Sequence, residues 1–127
     1  MSVSIRSLDR KPWKILALSG RVDAFSDKRV VAGLKNSAPL GVWIALDLSG
    51  CEFMSLWALK EVAAWGREQE TAGGQFVVLS PRESIRRQLD VFIGPQLTVY
   101  SSLQQLEVET FYKIQRGSLV ERQTPSS

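Results

Sequence analysis

The run Val42-Trp43-Ile44-Ala45-Leu46-Asp47-Leu48 is apolar at every position but Asp47, with Pro39-Leu40-Gly41 before it and Ser49-Gly50 after it. A strand with one wet face alternates polar and apolar residues. This run instead suits a central strand covered by helices on at least one face. A second such run, Gln75-Phe76-Val77-Val78-Leu79-Ser80, follows the helix-stopping pair Gly73-Gly74. Between the two, Ser55 stands where an N-cap would start a helix running to about Glu70. Strand, helix and strand in this order require a βαβ crossover, and so an α/β sheet with parallel strands.

The rest of the chain extends that unit. Lys14 to Gly20 reads as a strand, with Ile5 and its neighbours as an antiparallel partner ahead of Arg10-Lys11-Pro12. Asp23 to Asp27 supplies N-cap candidates for a helix whose apolar side is Val30, Val31 and Leu34. After Pro81, Ile85, Leu89 and Phe92 recur at helical spacing. Leu97 to Tyr100 is a short strand. Ser101 or Ser102 caps a last helix whose buried face is marked by Leu103, Leu106, Thr110 and Phe111. The expected order is ββαβαβαβα in a mixed sheet, with residues 1–116 as one domain and 117–127 as a disordered tail. The loops after Leu48, Leu79 and Tyr100 should gather at one end of the sheet, where a site belongs.

Composition narrows the chemistry. The 127 residues hold no histidine and one cysteine, Cys51. That removes the commonest general base near neutral pH and the commonest metal ligand, and a single thiol builds neither a zinc site nor an internal disulfide. We therefore expect no enzyme, metal or cofactor. No apolar stretch approaches the roughly 18 to 20 residues of a membrane span, and the N-terminus lacks a signal-peptide core, so a cytoplasmic protein is expected. Residues 1–37 carry eight Lys/Arg against three Asp, and the remainder eight against ten acids. This weak basic bias reads as a solubility feature rather than a nucleic-acid footprint.

From Ile15 to Leu106 the chain resembles the STAS domain, the module shared by bacterial anti-sigma factor antagonists and the cytoplasmic ends of sulphate transporters. Leu16 to Ala24, Ile44 to Met54 and Gly73 to Pro81 carry the resemblance through their order and spacing. In that family the central run continues through an Asp and a phosphorylatable Ser or Thr, then a small residue and Gly, as the second long helix begins. Here the stretch is Ser55-Leu56-Trp57-Ala58. Ser55 takes the Asp position and Leu56 the phosphoacceptor position, and leucine cannot be phosphorylated. The resemblance implies a bacterial signalling module whose partner is an anti-sigma factor of kinase-like fold or a stress-signalling complex. It also implies that the ordinary off-signal is missing at this position.

The expected partner-binding set is Ser49, Gly50, Glu52, Met54, Ser55, Leu56, Trp57, Lys60, Arg82 and Arg86. Ser55 is either a helix cap or a phosphosite shifted by one residue. Trp57 groups with Glu61, Ala64 and Glu68 on the polar side of its helix, away from Leu59, Val62, Ala63 and Gly66, so it either meets a partner or is covered by its own chain. Trp65 lies nearer the buried side. Arg82, Arg86 and Arg87 form a solvated helix face, or a patch for an acidic partner or a nucleotide phosphate. Asp47 reads as loop scaffolding rather than a catalytic carboxylate. The alternative function is a small-ligand sensor for a nucleotide or lipid, and self-association is a third reading.

Overall fold

A computed structural model describes residues 3–123, with side-chain surroundings as far as residue 116. The strands β1 (Ser4–Arg10) and β2 (Trp13–Val22) pair antiparallel, from Ser4 opposite Ser19 to Arg10 opposite Trp13. There follow α1 (Asp27–Asn36), β3 (Trp43–Asp47), β4 (Cys51–Met54), α2 (Leu56–Thr71), β5 (Gln75–Leu79) and α3 (Glu83–Gln88). A π turn (Leu89–Ile93) and a 3-10 turn (Gly94–Gln96) lead to β6 (Thr98–Tyr100) and α4 (Leu103–Gln123). The sheet order is β1-β2-β3-β5-β6, and every pair after the first hairpin is parallel.

One strand exceeds the expected order. Ser49 to Met54 is not simply a loop, because its second half forms β4 and pairs with the far end of β2. The ten-residue β2 thus uses the same edge twice. Trp13 to Ala17 pair with β3, while Gly20, Arg21 and Val22 pair with Cys51, Phe53 and Met54 after a register shift. Gly20 turns that shift at φ 107°, a conformation that costs little without a Cβ. The shift also hides the strand from periodicity: Cys51 to Met54 run in, out, out, in rather than alternating.

Period-two alternation sorts the strands' side chains to two faces. Leu16, Leu18, Ile44, Leu46, Phe76 and Val78 pack against α1, α2 and the π turn. Ile15, Ala45, Val77 and Leu79 point the other way, towards Leu106 of α4. Gly66 lets α2 lie close on β5, since a Cβ there would stand 2.8 Å from the Phe76 ring. Gln69, fully buried in α2, accepts from the Gly41 N–H at 2.8 Å and donates to the Pro39 carbonyl at 3.0 Å, so it anchors the approach to β3.

Two expected core positions face outward. After Leu89 the chain widens to a π turn, which brings Ile93 inward and leaves Phe92 exposed. On α4, Thr110 is buried but Phe111 is exposed. The helix α4 runs to Gln123, and residues 124–127 of the expected tail lie outside the described residues.

Candidate functional site

Two chain junctions meet at the end of β2. At the first, the Asp23 carboxylate accepts from the Phe25 N–H at 3.0 Å and the Ser26 hydroxyl at 3.2 Å, while the Asp23 carbonyl accepts from the Asp27 N–H at 2.8 Å. This self-bonded turn needs nothing from the Phe25 side chain, which is 97% exposed. At the second, the Ser55 N–H donates to the Val22 carbonyl at 2.8 Å. The Ser55 hydroxyl accepts from the Ala58 N–H at 3.1 Å and donates to the buried Asp27 carboxylate at 2.9 Å. Ser55 is therefore a working N-cap that also ties α2 to α1. A phosphoryl group on it would displace the cap and stand against a carboxylate.

With the junctions joined, their exposed apolar side chains share one end of the sheet. Phe25, Phe53, Leu56 and Trp57 are all exposed, Trp57 at 41%, and the Arg21 guanidinium lies 4.9 Å from the centre of the Phe53 ring. Trp57 is only partly covered by its own chain, whereas Trp65 is buried edge-to-face on Phe76 at 5.2 Å. Leu56 is the first residue of α2, beside the free N–H groups of its first turn.

Arg82 brings α3 to the same end, its Nε donating to the Ser49 carbonyl at 3.3 Å. Asp47 holds this turn by accepting from the Ser49 N–H at 2.9 Å. Gly50 belongs to the frame: its carbonyl accepts from the Gly20 N–H at 3.0 Å, and a Cβ would stand 2.5 Å from the Ser19 hydroxyl. Glu52 and Lys60 are exposed beside the cluster in sequence. Arg86 and Arg87 lean on their own helix, at 3.9 Å from Asp90 and 2.8 Å from Glu83, which weakens the expected basic patch. Met54 is a correction. It is 1% exposed and fills the core, because the bulge turns it inward to close β4. Cys51 is also buried, and burial pushes its thiol pKa up, so the thiolate is disfavoured.

Sequence reasoning missed Phe25, Phe53, Arg21 and Asp27. For Phe25 a signal existed, since an apolar residue inside an Asp-x-x-Ser turn has no helix or strand face on which to hide. Phe53 could not be found without β4. Among the described residues no group of His, Cys, Asp or Glu could hold a metal ion, and no helix is long and apolar enough to cross a membrane.

No family model and no curated protein matches the chain. Solved structures do. A Thermotoga maritima protein assigned as an anti-sigma factor antagonist superposes with a TM-score of 0.71 at 16% identity, covering 83% of this chain and 92% of that one. An anti-sigma factor antagonist from Mycobacterium paratuberculosis gives 0.66 at 20% identity, covering 85% and 93%. Unphosphorylated SpoIIAA, the anti-sigma factor antagonist of Bacillus, gives 0.64 at 15% identity, covering 86% and 96%. The chain thus has the mixed α/β fold of the anti-sigma factor antagonist domains, as its resemblance to STAS domains implies.

Proposed function

We propose that this chain is a non-enzymatic interaction module of the anti-sigma factor antagonist kind. It binds a regulatory protein through the end of the sheet where Phe25, Phe53, Leu56 and Trp57 are presented. The observation that carries the reading is this exposed apolar cluster on a tightly bonded frame. Large aromatic side chains held in place while still partly exposed are what interface anchors consist of. The partner fitting the fold is an anti-sigma factor with a kinase-like fold or a stress-signalling assembly in the cytoplasm. Occupying an anti-sigma factor would release its sigma factor for transcription.

Binding in this reading lacks the Ser/Thr switch at the helix start. Leu56 occupies the first helical position, and the neighbouring Ser55 hydroxyl is committed to Ala58 and Asp27. Affinity purification from native lysate tests the proposal, using wild type, Trp57→Ala and Phe25→Ala, each confirmed as folded by circular dichroism. A protein retained by wild type and lost from both variants supports it. Equal recovery with all three baits removes this face as the interface.

A second reading has its own observation. A cavity of about 390 Å³ lies between the sheet and the start of α4, with Leu8, Ile15, Ala17, Leu79 and Leu103 in its walls and Arg6 and Asp47 among its polar lining. Mostly apolar walls whose two charges, Arg6 and Asp47, offset each other suit a lipid-like molecule better than a nucleotide. Ligand sensing predicts that melting temperature rises with the logarithm of fatty-acid excess, and a pure adaptor shows no rise.

A further inference from the structure

The helix α4 has two apolar sides, and the fold uses one. Leu103, Leu106 and Thr110, spaced by three and four, face the sheet, where the Trp13 indole N–H donates to the Thr110 hydroxyl at 2.9 Å. At about 100° per residue, Val108 and Tyr112 project from the opposite side, and Phe111 from the flank between, where with Ile114 it borders a shallow pocket beside Trp13 and Thr110. All three are roughly half exposed, and the Phe111 and Tyr112 rings pack edge-to-face on each other at 6.0 Å. The outward half of this stripe is left uncovered by the described residues.

The charges beside the stripe indicate what covers it. Glu109 and Arg116 project along the same border, Glu109 about one turn before and Arg116 about one turn after a midpoint near Tyr112. Glu109 has no ion-pair partner among the described residues, and neither does Arg116. A two-fold axis through that midpoint, with the helices antiparallel, sets Phe111 and Tyr112 against their own copies. It also places each Glu109 opposite Arg116 of the partner subunit. The border is complementary to itself, whereas its mixed signs match neither a uniformly acidic nor a uniformly basic surface.

We infer that the outer face of α4 is a homodimer surface, in which two copies of this chain pair α4 antiparallel through Val108, Phe111 and Tyr112. The face lies across the sheet from the α1 and α2 layer, so this pairing stands or falls independently of the proposed partner interface. A single helix pair buries less than the standard ~800 Å² per partner, so a weak, concentration-dependent association is expected.

Sedimentation equilibrium of the full chain over a concentration series, at low salt and at about 0.5 M salt, tests the proposal. The wild-type mass should rise from the 14.2 kDa monomer toward twice that value, less so at high salt. Phe111→Glu should remain monomeric. Glu109→Arg and Arg116→Glu should each weaken pairing about tenfold, because the two-fold repeats every contact, and the double reversal should recover most of that loss. All the substitutions are at exposed positions, and circular dichroism reads whether each variant is folded. A wild type that stays monomeric to about 1 mM overturns the proposal. So does a dimer indifferent to Phe111→Glu, or a double reversal no better than the single ones.

Discussion

The two faces of the sheet are finished to different standards. One carries α1, α2 and the π turn, with Leu16, Leu18, Leu34, Ile44, Leu46 and Leu59 essentially inaccessible and Gln69 bonded through both ends of its amide. The other is covered by the first turns of α4, where Leu106 alone is fully buried from the helix, and the cavity of about 390 Å³ opens beside it. The exposed cluster of Phe25, Phe53, Leu56 and Trp57 is mounted on the dense face. Presenting apolar side chains to water without letting them collapse inward needs a frame already bonded to itself, and the dense face supplies one.

The largest expected effect separates the faces directly. Leu46→Ala should cost about 3 to 4 kcal/mol, because the residue sits in a packed strand centre that cannot close over the void. Leu106→Ala should cost nearer 2 kcal/mol, since Ile15, Leu79 and Leu103 of the same cluster already line an open cavity and leave room to relax. Urea unfolding of both variants compares them. Equal costs would mean that the α4 face is packed as tightly as the other.

Next is the junction that carries the cluster. Ser55→Ala removes the cap and leaves the Asp27 carboxylate without its hydroxyl donor, at an expected cost of about 1 to 2 kcal/mol. Ser55→Thr should restore most of it. Ser55→Asp should do worse than Ser55→Ala despite keeping a capping group, because two carboxylates would then share one site. If the Asp variant proves the most stable of the three, the tie between α1 and α2 is not what holds this end together.

How much of this was legible in the sequence follows the same division. The strands of the dense face announce themselves because parallel strands buried on both sides are apolar throughout, and Val30, Val31, Leu34, Leu59 and Val62 keep helical spacing. The start of α2 was legible because Ser55 serves as cap whatever surrounds it. What stayed hidden depends on long-range pairing. β4 exists because β2 is long enough to be shared, a property of Gly20 and the register rather than of Cys51 to Met54. Met54 turns inward for the same reason, and with β4 unseen Phe53 could not be placed beside Arg21. Phe92 and Phe111 kept helical spacing yet face water, because a π turn shifted one and α4's buried side is too narrow for the other.

The smallest effect sets one titrating group of each face against the other. Cys51 lies in the dense core and Tyr100 beside α4, and burial raises both pKa values, with the Glu109 charge adding to the second. For an acid whose folded pKa lies above its unfolded value, the unfolded chain loses its proton first as pH rises. Stability is thus unaffected below the unfolded pKa and declines through the window above it. Between about pH 8 and 11 wild type should weaken in two overlapping stages, the thiol's first and the phenol's second. Cys51→Ala should flatten the earlier stage and Tyr100→Phe the later one, read as urea midpoints at each pH. Because Cys51 is fully enclosed while Tyr100 is only partly covered, the thiol stage should be the steeper. A steeper phenol stage would place the better-sealed environment on the α4 face and reverse the comparison.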